Sequence, residues 1–146
     1  MTRDPALEAF CAFFNKLDKT CTKKLYMFYT DNAVFIDPLQ RIEGREALEA
    51  YFSSLYENVT SCQFDFHHQQ RQGNTAFVTW RMRLVHPRLD GGREIAVEGC
   101  SQLDFAANDT ARVARHRDYF DVGAMVYERL PLLGGAVKLV KERLGH

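Results

Sequence analysis

The stretch "TAFVTWRMRLVHPRLDGGREIAVEGCSQLDFAANDTARVARHRDYFD", residues 75–121, decides the fold. Three runs rich in β-branched and aromatic residues are separated by two turn signals, Asp90-Gly91-Gly92 and "AANDTA". Three strands joined by two short turns predict an antiparallel meander. Upstream, Gly73-Asn74 connects the first of them to "SCQFDFHHQQRQ", where Phe64, Phe66 and His68 alternate as on another strand.

Working outward, the N-terminal half reads differently. "DPALEAFCAFFNKLD" opens with Asp4 as a cap and Pro5 at the first helical position, and Leu7, Phe10, Cys11, Phe14 and Leu17 follow at helical spacing. "TCTKKLYMFYT" reads as a second short helix. "DNAVFIDP" is a short strand stopped by Pro38, and "GREALEAYFSSLYENV" is a third helix with Leu48, Tyr51, Phe52 and Leu55 on one face. Segregated helices followed by a meander indicate the α+β class. The expected shape is a cone, a curved antiparallel sheet packed against the N-terminal helices, with an apolar pocket between the layers. Residues 1–134 would form this domain. "GGAVKLVKERLG" predicts an amphipathic helical extension over residues 135–146.

Strand alternation assigns faces. With Asp118 turned into the cone, Arg112, Ala114, His116 and Phe120 go with it. On the neighbouring strand Val97, Gly99, Ser101 and Leu103 point inward. On the long strand the inward set is read as Phe77, Thr79, Arg81, Arg83 and Val85. That leaves Val78, Trp80, Met82 and Leu84 on the convex side. An apolar convex face predicts a homodimer, because a large exposed apolar patch is unusual on a monomer.

Composition narrows the function. Lys plus Arg equals Asp plus Glu at 19 each, which speaks against a nucleic-acid binder. No apolar run approaches the length of a membrane span, and "MTRDPALEAF" is no signal peptide, so a cytoplasmic protein is expected. The tail has one short apolar stripe, too little for a membrane partner to be expected. Cys11, Cys21, Cys62 and Cys100 form no C-x-x-C pair. His67 and His68 are adjacent on a strand and point to opposite faces, so they cannot easily share an ion. Neither a metal nor a cofactor is expected.

Two segments, "YTDNAVFIDPLQRIEGREALEAYF" and "HRDYFDVGAMVYERLPLLG", resemble the SnoaL-like branch of the nuclear transport factor 2-like superfamily. The second is similar to the final strand and helix of limonene epoxide hydrolase. That resemblance implies a water-activating carboxylate at Asp118 and an orienting guanidinium at Arg81. It puts the acid of that enzyme on Arg83, its water-holding Asn on Asp37 and its Tyr on Phe35. Guanidinium cannot donate a proton at neutral pH, so the epoxide-opening set is incomplete. A ketosteroid isomerase comparison puts the base on Asp37, in the pair Asp37-Pro38, and the oxyanion donors on Phe13 and Ser101.

The composite expectation is a catalytic set of Asp118 as base, Arg81 as its orienter, Asp37 as second carboxylate and His116 as a pocket acid/base or donor. Phe35, Arg83, Ser101, Phe13 and Phe120 would line the ligand site. The partner would be a small apolar molecule with one polar reacting group, and the chemistry that of a cofactor-free hydrolase, isomerase or cyclase. The alternative is a non-catalytic dimeric binding or regulatory module.

Overall fold

In a computed structural model, the chain is described at residues 4–18 and 20–121, together with Gly123 and Leu144. Helix α1 spans Pro5–Lys16. Its cap is as read: the Asp4 carboxylate accepts the Leu7 N–H at 2.9 Å and also pairs with Arg71 at 3.1 Å. A 3-10 turn over Thr22–Met27 replaces the expected second helix. Strands β1 (Tyr29–Ile36) and β2 (Arg41–Glu43) follow, then helix α2 (Arg45–Glu57). The chain enters α2 through Gly44 at φ +93°, a conformation that glycine adopts without Cβ strain.

Strands β3 (Ser61–Gln72), β4 (Thr75–Val85), β5 (Ile95–Ala106) and β6 (Asp109–Phe120) complete one six-stranded sheet in the order β2-β1-β6-β5-β4-β3. The fold is α+β: a curved, unclosed sheet carrying the N-terminal helices on its concave face. The meander β4-β5-β6 is antiparallel as expected. The sheet as a whole is mixed, however, because β1 lies parallel to β6. Crossing from β1 to its parallel partner takes about half of the chain, a pairing that no local turn signal announces. The "LDGG" segment forms a 3-10 turn in a longer connection between β4 and β5, where a tight hairpin was expected.

The face of β4 is the main correction. Ala76, Val78, Trp80 and Leu84 are buried against the helices, while Phe77 and Arg81 are exposed. Trp80 pairs with Gly99, and directly paired residues share a face. Once Gly99 and Ser101 face inward, Trp80 and Val78 must as well. The apolar set read as a dimer interface is therefore the inner wall of the cone. A β-bulge corrects β6 too: Val113 pairs with Phe105 but Arg115 with Asp104, so parity slips around Ala114. Val113 and His116 are both buried, in place of the expected inward run Arg112, Ala114, His116.

The core is an aromatic layer between α1, α2 and the sheet, with Phe10, Phe14, Phe35, Phe52 and Trp80 all buried. The Asn15 side chain pins α1 to β3 by accepting the Phe64 N–H at 2.8 Å and donating to the Phe64 carbonyl at 3.0 Å. The helices expected after Phe120, including the extension over 135–146, lie outside the described residues but for exposed Leu144.

Candidate functional site

Register builds the site. The parallel pairing sets Phe35 beside His116. The antiparallel pairing sets Ser101 opposite Asp118. His116 and Asp118 are two residues apart on β6 beyond the bulge, so both side chains enter the cone. The His116 ring is enclosed edge-on by Phe35, Phe10 and Phe14 at centroid distances of 4.9, 5.7 and 5.9 Å.

These side chains form one continuous polar chain across an apolar interior. The Trp80 indole N–H donates to Ser101 Oγ at 2.9 Å, and Ser101 donates to Asp118 Oδ1 at 2.5 Å. His116 Nε2 lies 2.7 Å from the same Oδ1. His116 Nδ1 lies 2.7 Å from the Tyr29 hydroxyl. Burial, and after it the charge of Asp118, pushes the Tyr29 phenol well above its ordinary range. A carboxylate oxygen only accepts, so Nε2–H is the donor to Asp118, and in that neutral tautomer the bare Nδ1 accepts from the Tyr29 hydroxyl. Every hydrogen bond in the chain runs toward Asp118 Oδ1. Its Oδ2 takes no protein hydrogen bond among the described residues.

Asp118 lies on the wall of a cavity of about 460 Å³ that reaches between α2 and the inner faces of β3 and β4. Its walls are aromatic and aliphatic, among them Phe35, Tyr51, Phe52, Trp80, Met82 and Phe120. This size and character suit a small organic ligand. Asp118 also borders a separate void of about 30 Å³ against α1, close to the room one water needs.

The expected site residues divide cleanly. Asp37, Asp118, Phe35 and Phe120 line the large cavity. His116 and Ser101 stand behind Asp118 and border the small void, so Ser101 reaches a ligand only through the carboxylate it holds. Arg81 and Arg83 are on the outer face. Arg81 is exposed, and Arg83 pairs with Asp65 at 3.0 Å. Neither guanidinium meets Asp118, because β4 has the opposite parity. Phe13 is buried in α1, stacked on Phe28 at 4.4 Å, away from both cavities. Asp37 sits in a turn, where its Oδ1 accepts the N–H groups of Leu39 and Gln40. His67 and His68 are both exposed, since a bulge falls between Phe66 and Gln69.

Sequence reading missed Tyr29, Trp80 and Tyr51. Tyr29 sat in a segment taken for helix, and only the β1–β6 register takes it to His116. Trp80 was on the wrong face. Tyr51 was read as helix packing, yet it also borders the cavity, where burial and then Asp37 push its phenol up to about 12.

The fold and the site together define a cone-shaped α+β protein whose interior holds a ligand-sized cavity with a hydrogen-bonded carboxylate on its wall. The SnoaL-like domain model matches residues 7–116, and the chain belongs to that family. No curated protein is similar to it by sequence. Among solved structures, a protein of Shewanella putrefaciens assigned as a SnoaL-like polyketide cyclase superposes with a TM-score of 0.70 at 17% identity, covering 85% of this chain and 95% of that one. A LEH-like epoxide hydrolase of Mycobacterium tuberculosis gives 0.68 at 21% identity, over 93% and 96% of the two chains. A protein of Catenulispora acidiphila with a ketosteroid isomerase-like fold gives 0.72 at 12% identity, over 88% and 93%. At these identities the likeness is one of fold.

Proposed function

We propose that the protein binds a small, largely apolar molecule in the cone and carries out cofactor-free acid–base chemistry on its one polar reacting group, as a hydrolase, isomerase or cyclase. The observation that supports this is the state of Asp118. One oxygen is held by Ser101 and His116 while the other has no protein partner among the described residues, on the wall of a cavity of ligand size. In this reading Oδ2 takes a proton from a substrate carbon or from a water. For an isomerase the same oxygen returns that proton to a second carbon, so the balance closes without a further reactant. His116 and Ser101 position the carboxylate through their donated hydrogen bonds. Asp37 is the second carboxylate. Arg81 has no part, since its side chain lies on the other face of the sheet. Four free thiols suit a reducing compartment, and we place the protein in the cytoplasm.

The test uses two probe classes, a cyclic alkene oxide and a β,γ-unsaturated cyclic ketone, with Asp118→Asn as the variant. Asn keeps the shape and removes the base. Wherever the wild type turns a probe over, Asp118→Asn should lower the rate about a hundredfold or more. A variant that keeps the full rate sinks the assignment of Asp118.

A second reading is a non-catalytic dimeric module. Phe77 and Tyr119, 47% and 45% exposed, favour it, because they stand on the outer face of neighbouring parts of the sheet. A wild-type protein that sediments as a dimer and turns over neither probe class would satisfy this reading and not the first.

A further inference from the structure

We infer that the molecule bound in the cone carries a cationic nitrogen, an alkylammonium on an apolar body, with the charge seated at the Asp37 corner of the cavity. This deepens the reading above and rests on it, since it names the chemical class of ligand for the same cavity.

The charge of the wall carries the argument. The chain has as many basic as acidic residues. Yet the described residues around the cavity include two aspartates and neither a lysine nor an arginine. Arg81 and Arg83, which the resemblance to limonene epoxide hydrolase would have turned inward, stand outside the sheet. His86 also borders the cavity, and its Nδ1 accepts the Arg88 N–H at 3.0 Å, so that nitrogen carries a lone pair and no proton. Carboxylates against apolar walls are costly unless donors or a countercharge answer them.

Asp118 is answered by His116 and Ser101. Among the described residues Asp37 has only neutral donors: the N–H groups of Leu39 and Gln40 at 2.8 and 3.1 Å, and the Gln40 side-chain amide at 3.2 Å. No described lysine or arginine pairs with it. Tyr51 and Phe35 line the same cavity as Asp37, their ring centroids 5.9 Å apart and planes tilted by 36°. Aromatic rings and a carboxylate on one wall are surroundings that suit an alkylammonium group. An anionic ligand would meet two like charges, and a neutral one would leave Asp37 without a countercharge.

Trp80 is the chain's one tryptophan and lies on the cavity wall, so its emission reports occupancy. Three optically silent probes of one shape should be titrated: 1-adamantanemethylamine, 1-adamantanemethanol and 1-adamantanecarboxylate. The amine should bind about tenfold tighter than the alcohol, and the carboxylate weakest. Asp37→Asn keeps the turn's acceptor oxygen and should abolish the gap between amine and alcohol. Tyr51→Leu, which removes an aromatic ring from the same cavity wall, should narrow the gap too. Alcohol binding as tight as amine binding overturns the inference but leaves the proposed function standing. So does a gap that survives Asp37→Asn. If none of the three changes Trp80 emission, the cavity reading falls, and the inference with it.

Discussion

Asp118 depends on a residue with no side chain. A Cβ on Gly99 would land on the Trp80 ring, 2.6 Å from Cζ3, so only glycine lets the indole lie flat against β5. That position is what brings the indole N–H to Ser101, and Ser101 to Asp118. Gly99→Ala should cost about 1–3 kcal/mol in urea unfolding, the usual penalty for overpacking a core. It should also shift Trp80 emission in the native state, because the ring must leave its hydrogen bond. An unchanged spectrum would mean that the Trp80–Ser101 link is not formed. The motif was hard to see in the sequence: a glycine within a strand reads as a weak strand former, and its role appears only with the cross-strand partner known.

At the level of elements, parity decides which residues meet. Strand β4 alternates cleanly in sequence, with arginines on one side and Val78, Trp80, Met82 and Leu84 on the other. Alternation reveals two faces without saying which is inside. The resemblance to limonene epoxide hydrolase, with Arg81 as the orienter of Asp118, is what points the arginines inward. Burial of the apolar set instead removes some hundreds of square ångströms from water, at roughly 25 cal/mol per Å², while burying two guanidinium groups carries a desolvation cost that even a paired carboxylate hardly repays. Arg81→Ala should therefore change stability by about 0.5 kcal/mol or less and leave probe binding and any turnover untouched, as is usual for an exposed position. A large loss of rate would return Arg81 to the site and contradict the observed face. Strand β6 teaches the same point, since beyond its bulge His116 pairs with Phe35 and comes within hydrogen-bond reach of Tyr29.

Over the whole molecule, the interior keeps its protons. Burial pushes the thiols of Cys11 and Cys62 from an ordinary 9.0 up to about 12 and about 11, and the phenol of Tyr51 from 10.0 up to about 12. Tyr29 and Tyr56 move in the same direction for the same reason. In the unfolded chain these groups titrate at their ordinary values. Above pH 9 the unfolded state therefore holds fewer protons than the native state, and stability must fall as pH rises. Urea midpoints should not respond to these groups below pH 9 and should decline from there toward pH 12. A midpoint that stays level through that window would mean that these side chains are solvated.

The sequence by itself determined the class and most of the elements, because these follow from local signals. Asp4 and Pro5 start α1, alternation marks the strands, and Gly73-Asn74 and "AANDTA" close two of the turns. It also determined that His116 and Asp118 share a face, since they are two apart on one strand. Only the tertiary structure decided which face of β4 is interior, that β1 runs parallel to β6, and that Tyr29 and Trp80, through His116 and Ser101, converge on one carboxylate oxygen. Those facts depend on register between strands distant in sequence. Register is set by the burial of all the apolar faces at once, and no single stretch of the chain contains that sum.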